Sequence, residues 1–314
     1  MKAKVINQTC NANVQRVLSK TELPDPRKTE ELICLANKLD DISKTAFGIV
    51  YYRSKYSHTL KHPFIDLLGE KILQTLNYTH PPRDEYSLAF AMIIAPIRTK
   101  VIDDITSDFI KANYRDAVII NLGCGLCTRL ERLLAEDKLD PKNIVWINVD
   151  LQNMISFRTA LWNTLSPHTE GFYLPVSSSV FDFEWIKIAK SYKNRPILLI
   201  SEGCLSYYEE KQIKIFFEIL RKNFSSLNIL LTAVHPELRI RELSNKLKTT
   251  PNHKWFVKSS EEVVALNSDL RLISTSSFLN MELLKIENIP SNILDLAASL
   301  PRNYSTAIMM ALRH

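Results

Sequence analysis

The sequence predicts an α/β protein in which a buried, mostly parallel sheet follows a helical N-terminal segment. Four short apolar runs rich in β-branched residues follow residue 116: AVIINLG, NIVWINVD, ILLISEG and NILLTAV. Amphipathic stretches lie between these runs, and strands that alternate with helices are typical of βαβ units. Most of the chain before residue 110 has helical periodicity instead.

The individual elements follow from the spacing of their apolar residues. A spacing near 3.6 predicts N-terminal helices over Thr29–Ala46, Phe64–Leu76 and Thr99–Ala112. Further helices are expected between the apolar runs, over Thr128–Ala135, Asn153–Leu165, Glu184–Tyr192 and Glu209–Asn223. A weaker strand is expected near Gly171–Val176, and two closing strands that could pair antiparallel are expected over Leu270–Ser276 and Ser305–Leu312.

The change of texture near residue 110 predicts two parts. Residues 1–110 are expected to form a helical cap that takes part in substrate binding, and residues 111–314 the α/β domain that binds the ligand. The 46% hydrophobic content of the 314 residues is ample for a buried core.

Composition narrows the class of protein and its location. The net charge of +6 is spread along the chain without basic blocks, so charge gives nucleic-acid binding no support. Five scattered cysteines fit a reducing cytosol better than a disulfide scaffold. No signal peptide is evident, and no stretch approaches the roughly 18 apolar residues of a membrane span. We therefore expect a cytoplasmic protein that does not enter a membrane.

A glycine-rich turn is the strongest local signal for ligand binding. The first apolar run ends in Gly123-Cys124-Gly125 and a helix follows, which is where open α/β sheets bind ligands. The dinucleotide fingerprint GxGxxG is incomplete because its sixth position is Thr128. Asp150 follows Gly123 by 27 residues, whereas that fingerprint places its acid about 20 residues on. A nicotinamide or flavin oxidoreductase is therefore disfavoured.

Two acidic residues end the apolar runs that follow. Asp150 closes NIVWINVD and Glu202 lies in ILLISEG, so both would reach the same edge of the sheet as the glycine turn. A glycine turn followed by a strand-end carboxylate is similar to the cofactor site of class I methyltransferases, where the carboxylate accepts hydrogen bonds from the ribose. Two carboxylates would also match a cationic sulfonium ligand. Alternatively, Asp150 caps a helix and Glu202 pairs with an arginine.

Further motifs share an order with one protein family. Arg98-Thr99 with Asp103, then NLGCGLCTR, VDLQNMISFR, SSSVFDFEW and SEGCLSYY, resemble the leucine carboxyl methyltransferase-like family, which includes polyketide O-methyltransferases. The resemblance runs from about Tyr52 to Phe217. It implies a class I methyltransferase fold, which has a Rossmann-like, seven-stranded, mostly parallel sheet and here an N-terminal helical cap. The implied cofactor is S-adenosyl-L-methionine.

The resemblance also implies a role for individual residues. Arg98 would bind the methionine carboxylate of the cofactor, and Glu202 would lie near the methionine portion. Asp150 would bind the ribose. The turn beneath the cofactor and the contacts to the adenine edge would come from Gly123, Cys124, Gly125 and either Ser177 or Ser178. Tyr52-Arg53 resembles a motif that closes over the site.

The resemblance implies an S-adenosylmethionine-dependent O-methyltransferase. Its acceptor would be a carboxylate or hydroxyl oxygen, in a small molecule or at a protein C-terminus. A hydroxyl acceptor would need a base, for example His235 or a carboxylate, and no catalytic residue is assigned. Cys127 stands where the family commonly has Asp, which leaves open a catalytically decayed protein that binds the cofactor in a regulatory or interaction role. No metal site is expected, because Cys124-x-x-Cys127 lacks a second pair of ligands.

Overall fold

The computed structural model describes residues 24–80, 85–113, 116–136, 144–238, 253–280 and 291–313. Its centre is a seven-stranded sheet. In chain order the strands are β1 (Val118–Leu122), β2 (Val145–Asp150), β3 (Tyr173–Ser177), β4 (Ile197–Ser201), β5 (Ser226–Val234), β6 (Leu270–Ser277) and β7 (Ser305–Arg313).

The strands pair in the order β3-β2-β1-β4-β5-β7-β6. The first five strands of this order are parallel, whereas β7 runs antiparallel to both β5 and β6. This topology is that of a class I methyltransferase, so the expected fold class is confirmed. The strand predicted near Gly171–Val176 and the antiparallel closing pair are confirmed as well.

Helices precede the sheet and alternate with its strands. The N-terminal ones are α1 (Pro26–Asn37), α2 (Asp41–Tyr56), α3 (Leu67–Thr75) and α4 (Glu85–Ala112). The later ones are α5 (Arg129–Ala135), α6 (Gln152–Leu165), α7 (Pro167–Glu170), α8 (Glu184–Ala189), α9 (Glu210–Asn223), α10 (Ser260–Val264) and α11 (Ser291–Ala298). None of these described helices is long and apolar enough to cross a membrane.

Two N-terminal predictions need correction. Thr29–Ala46 is not one helix, because α1 ends at Asn37 and the Asp40 side chain accepts a 2.8 Å hydrogen bond from the Ser43 N–H, which starts α2. The helix predicted from Thr99 begins earlier, because α4 continues through Pro96. Neighbouring apolar residues of α4 are fully buried, so tertiary packing offsets the hydrogen bond that proline cannot make.

Hydrophobic side chains cover both faces of the sheet. On one face, Ile119 and Leu198 share a cluster with Phe47 of α2 and Ile97 of α4, so the N-terminal helices pack directly on the sheet. The opposite face packs against α8 and α9. The division at residues 110 and 111 remains a prediction.

Strand register brings the carboxyl ends of β1, β2 and β4 to one edge. Leu122 lies beside Val149 on one side and beside Ser201 on the other. The N–H groups of Gly123 and Cys124 then donate to the carbonyl of Val149, at 2.9 and 3.1 Å. These bonds hold the glycine turn next to the end of β2.

Candidate functional site

A cavity of about 290 Å³ opens at this edge of the sheet, between the strand ends and the helices α2 and α4. Of the residues that the sequence singled out, the lining contains Arg98, Gly123, Cys124, Gly125, Asp150, Ser178 and Glu202. Ser177 is not among the lining residues and its side chain is exposed, whereas Ser178 is buried and lines the cavity. Segments far apart in the sequence therefore meet in one place.

The glycine turn has a backbone that only glycine adopts without strain. Gly123 and Gly125 have φ angles of 63° and 44°, in the left-handed region. A Cβ atom at Gly123 would lie 2.7 Å from the Sγ of Cys204, and one at Gly125 would lie 3.3 Å from the Cβ of Ala46 in α2. The turn is thus packed against the end of β4 on one side and α2 on the other.

Asp150 is held by backbone groups. Its Oδ2 accepts a 2.7 Å hydrogen bond from the Gly125 N–H, and its Oδ1 accepts one of 2.8 Å from the Leu151 N–H. Within the described ranges Asp150 forms no ion pair, and burial raises its pKa against the opposing effects of these two N–H groups and of the Arg158 charge. Each carboxylate oxygen keeps a further lone pair for a hydroxyl donor in the cavity.

Glu202 lies in a different environment. Its Oε1 accepts a 2.8 Å hydrogen bond from Arg98 Nε, and its Oε2 accepts one of 2.5 Å from Arg129 Nη2. Burial alone would raise the pKa of Glu202, but the two guanidinium groups outweigh it and lower the pKa to about 2. Glu202 lines the cavity, yet its charge is already matched by protein groups, as the arginine-pairing alternative expects.

Buried ion pairs continue behind Glu202. Arg129 Nε donates to Asp103 Oδ1 at 2.9 Å, and Arg132 binds both Asp103 oxygens at 2.6 and 2.8 Å. Cys127, at the family's usual aspartate position, lies with its Sγ 3.4 Å from Arg129 Nη1. The sequence noted Asp103 as part of a motif, but gave no signal for Arg132.

A second cluster joins the N-terminal helices to the same turn. Arg53 Nε donates to Asp66, and Arg53 Nη2 donates to the Leu126 carbonyl at 3.2 Å and to Thr128 Oγ1 at 3.1 Å. Thr128 Oγ1 in turn donates to Asp66 Oδ1 at 2.6 Å. Despite its burial, the pKa of Asp66 is lowered by Arg53 and Arg132. The sequence pattern did not single out Asp66, which caps the N-terminus of α3.

The imidazole in the cavity wall is not the predicted one. His235 does not line the cavity, and its Nδ1 accepts a 3.2 Å hydrogen bond from the Glu237 N–H. His253 lines the cavity instead, with its ring stacked on that of Tyr207 at 5.0 Å and 12°. The sequence analysis did not single out His253 itself, because it follows a stretch without clear periodicity. Among the described residues, no group of three His, Cys, Asp or Glu side chains is arranged to hold a metal ion.

A sheet of this topology with a glycine turn and a strand-end carboxylate defines a class I methyltransferase. The model of the leucine carboxyl methyltransferase family matches residues 60–220, about half of the chain, and the chain belongs to that family. It is a methyltransferase whose cofactor is S-adenosylmethionine.

Individual relatives agree with this assignment. The tetracenomycin polyketide synthesis O-methyltransferase TcmP of Streptomyces glaucescens is 28% identical over 217 residues, covering 68% of this chain and 74% of that protein. The S-adenosyl-L-methionine-dependent methyltransferase dpfgK of Gibberella zeae is 24% identical over 151 residues, covering 48% of this chain and 49% of that protein. A solved DUF574 family protein from Streptomyces avermitilis shares the fold, with a TM-score of 0.53 at 12% identity, covering 86% of this chain and 97% of that one.

Proposed function

We propose that the protein transfers the methyl group of S-adenosylmethionine to an oxygen atom of a small molecule. The observation that carries the proposal is the single cavity in which the glycine turn, the Asp150 carboxylate and the Arg98 guanidinium meet. The relative TcmP, a polyketide synthesis O-methyltransferase, supports oxygen as the acceptor atom and a small molecule as the acceptor.

The residues present fit the cofactor. Arg98 uses only its Nε among the described residues, so its two Nη atoms can bind the methionine carboxylate bidentately. The turn at Gly123 and Gly125 lets the backbone approach closely, and the remaining lone pairs of Asp150 suit the ribose hydroxyls. We assign the adenine edge to Ser178 rather than Ser177, because Ser178 lines the cavity.

The helices α2 and α4 supply the wall for the acceptor. Tyr52 and Ala95 line the cavity from these helices, and Tyr207 and His253 line it as well. Such mainly apolar groups exclude water and orient an acceptor, which is the main contribution a protein makes to a displacement reaction. We assign acceptor binding to residues of the predicted cap for this reason.

The cofactor supplies an electrophilic sulfonium methyl group. The wall of the cavity would orient an acceptor oxygen towards that methyl, and transfer would form a C–O bond while the C–S bond breaks and its electrons pass to sulfur. A carboxylate acceptor is ionised already and needs no base. For a hydroxyl acceptor, the imidazole of His253 is the group in the wall that can take the proton.

Two measurements test the proposal. Calorimetric titration should give one-to-one binding of S-adenosylhomocysteine and none of NAD, which serves as the control. Transfer of tritium from methyl-labelled cofactor should then reach 1-naphthol or 1-naphthoate, and not a leucine-terminated peptide. Cofactor binding with transfer only to the peptide would overturn the small-molecule acceptor, and binding without transfer to any acceptor would favour the decayed protein.

A further inference from the structure

We infer that Glu202, Arg129 and Asp103 are positioning residues that hold the Arg98 guanidinium in its binding orientation, and that Glu202 does not itself bind the cofactor's ammonium group. The inference rests on the proposed role of Arg98. Glu202 then has a role that differs from the one implied by the family resemblance.

The guanidinium of Arg98 is fixed at one end. Its Nε donates to Glu202 Oε1 at 2.8 Å, which leaves the two Nη atoms for a ligand. Those Nη atoms lie over Gly203, where an added Cβ would be 3.7 Å from each of them. The φ angle of Gly203 is 64°, so the backbone there is one that glycine favours. The Glu202 carboxylate and the Gly203 backbone therefore restrict the orientation of the Arg98 guanidinium.

Glu202 is itself held from behind. Its second oxygen is taken by Arg129 Nη2, and the Arg129 side chain is only 1% exposed. Arg129 Nε donates to Asp103, whose two oxygens are also bound by Arg132. The resulting row alternates in charge along its length, in the order Arg132, Asp103, Arg129, Glu202 and Arg98. Each buried charge therefore has opposite charges beside it, which a buried ion pair requires.

The row joins three elements of the fold. Arg98 and Asp103 both lie in α4, while Arg129 lies in α5 and Glu202 follows β4. A shift of α5 or of the β4 end relative to α4 would therefore break a hydrogen bond in the row. Because the single negative charge of Glu202 already lies between two guanidinium groups, a further cation would add little to what they supply.

Ligands that lack one group at a time test the inference. We would measure the affinities of the wild type, Arg98→Gln, Glu202→Gln and the double variant for three ligands. These are S-adenosylhomocysteine, its deaminated analogue with the carboxylate but no ammonium, and 5′-methylthioadenosine with neither group. Asp104→Asn is the matched control, because Asp104 lies on α4 and pairs with Lys100 outside the cavity lining. Circular dichroism and thermal unfolding check that each variant is folded.

We expect Glu202→Gln to weaken S-adenosylhomocysteine and its deaminated analogue about tenfold or more, since charged hydrogen bonds are lost or misaligned. The affinity for 5′-methylthioadenosine should not change, and Glu202→Gln should have no further effect in the Arg98→Gln background. A loss confined to the ligand with the ammonium would mean direct binding by Glu202 and would overturn the inference. An equal loss for all three ligands would show a general structural role and would overturn it too. Unchanged affinities in folded Arg98→Gln would instead remove the proposed role of Arg98.

Discussion

The ends of β2 and β4 carry the same chemical group in opposite environments. Asp150 accepts hydrogen bonds from two backbone N–H groups, and burial raises its pKa. Glu202 accepts from two guanidinium groups, which outweigh its burial and lower its pKa to about 2. A carboxylate that forms no ion pair with a described residue remains open to a ligand, whereas one between two arginines serves mainly to hold them. The role of each carboxylate is therefore decided by the groups that contact it, and not by its position at a strand end.

The largest expected effect comes from replacing Arg129, which lies at the centre of the row of buried charges that includes Glu202. Arg129→Met leaves Asp103 and Glu202 each without one buried guanidinium partner, and such losses cost about 3–5 kcal/mol. Urea denaturation should show a decrease of that size in the free energy of unfolding. Lys187→Met is the control, because Lys187 pairs with Glu184 on the surface and should leave stability essentially unchanged. A decrease below about 1 kcal/mol for Arg129→Met would show that the row contributes little.

A substitution of Asp150 should weaken the binding of the cofactor. Asp150→Ala removes the carboxylate that we assign to the ribose, and charged hydrogen bonds are worth about 1.5–3 kcal/mol each. We expect the affinity for S-adenosylhomocysteine to fall at least tenfold in calorimetric titration. Asp25→Ala is the control, because Asp25 also accepts from a backbone N–H, that of Arg27, but lies outside the cavity lining. An unchanged affinity in a folded Asp150→Ala protein would remove the ribose role.

The sequence located both acids but did not identify their partners. An apolar run that ends in an acid is a local signal, so the strand ends and the glycine turn were predictable. The partners are not local: Arg98 is 104 residues from Glu202 and Arg129 is 73 residues away. Pairing between such distant positions depends on packing of α4 and α5 against the sheet, which no periodicity encodes.

Other differences arise at element ends. Neighbouring residues of a strand point to opposite sides, so the choice between Ser177 and Ser178 depended on where β3 stops. The break between α1 and α2 was hidden because the apolar spacing continues across it, although Asp40 supplies a cap. His253 reaches the cavity from a loop, and loops carry functional residues without a pattern that predicts their position.

The glycine turn offers a smaller and more selective perturbation of the Asp150 side. Gly123→Ala forces a side chain into the left-handed region, at about 1–2 kcal/mol, and brings its Cβ to 2.7 Å from the Cys204 Sγ. The turn should shift and move the Gly125 N–H away from Asp150, so we expect weaker binding of S-adenosylhomocysteine together with lower thermal stability. Gly171→Ala is the matched control, because φ there is −64° and nothing lies within 4 Å of the added Cβ. Equal behaviour of the two variants would mean that the turn adapts without strain.

The smallest expected effect is a change of stability with pH, which compares Glu202 and Asp150 directly. The folded-state pKa of Glu202 lies near 2, below its ordinary value of 4.5, so its stabilisation is fully present above pH 4.5 and is lost as the pH falls towards 2. Asp150 has the opposite sign, because its pKa is raised on folding and its ionisation opposes the folded state.

In urea denaturation, the stability difference between the wild type and Glu202→Gln should therefore shrink by about 1 kcal/mol between about pH 6 and pH 3.5. Asp150→Asn is the comparison, because it removes a group whose ionisation opposes folding. Its stability relative to the wild type should move the other way, improving with rising pH as the wild-type carboxyl ionises. A Glu202→Gln difference that is constant over this range would mean that the two arginines do not lower the pKa of Glu202. The contrast between the strand ends would then lie in geometry alone.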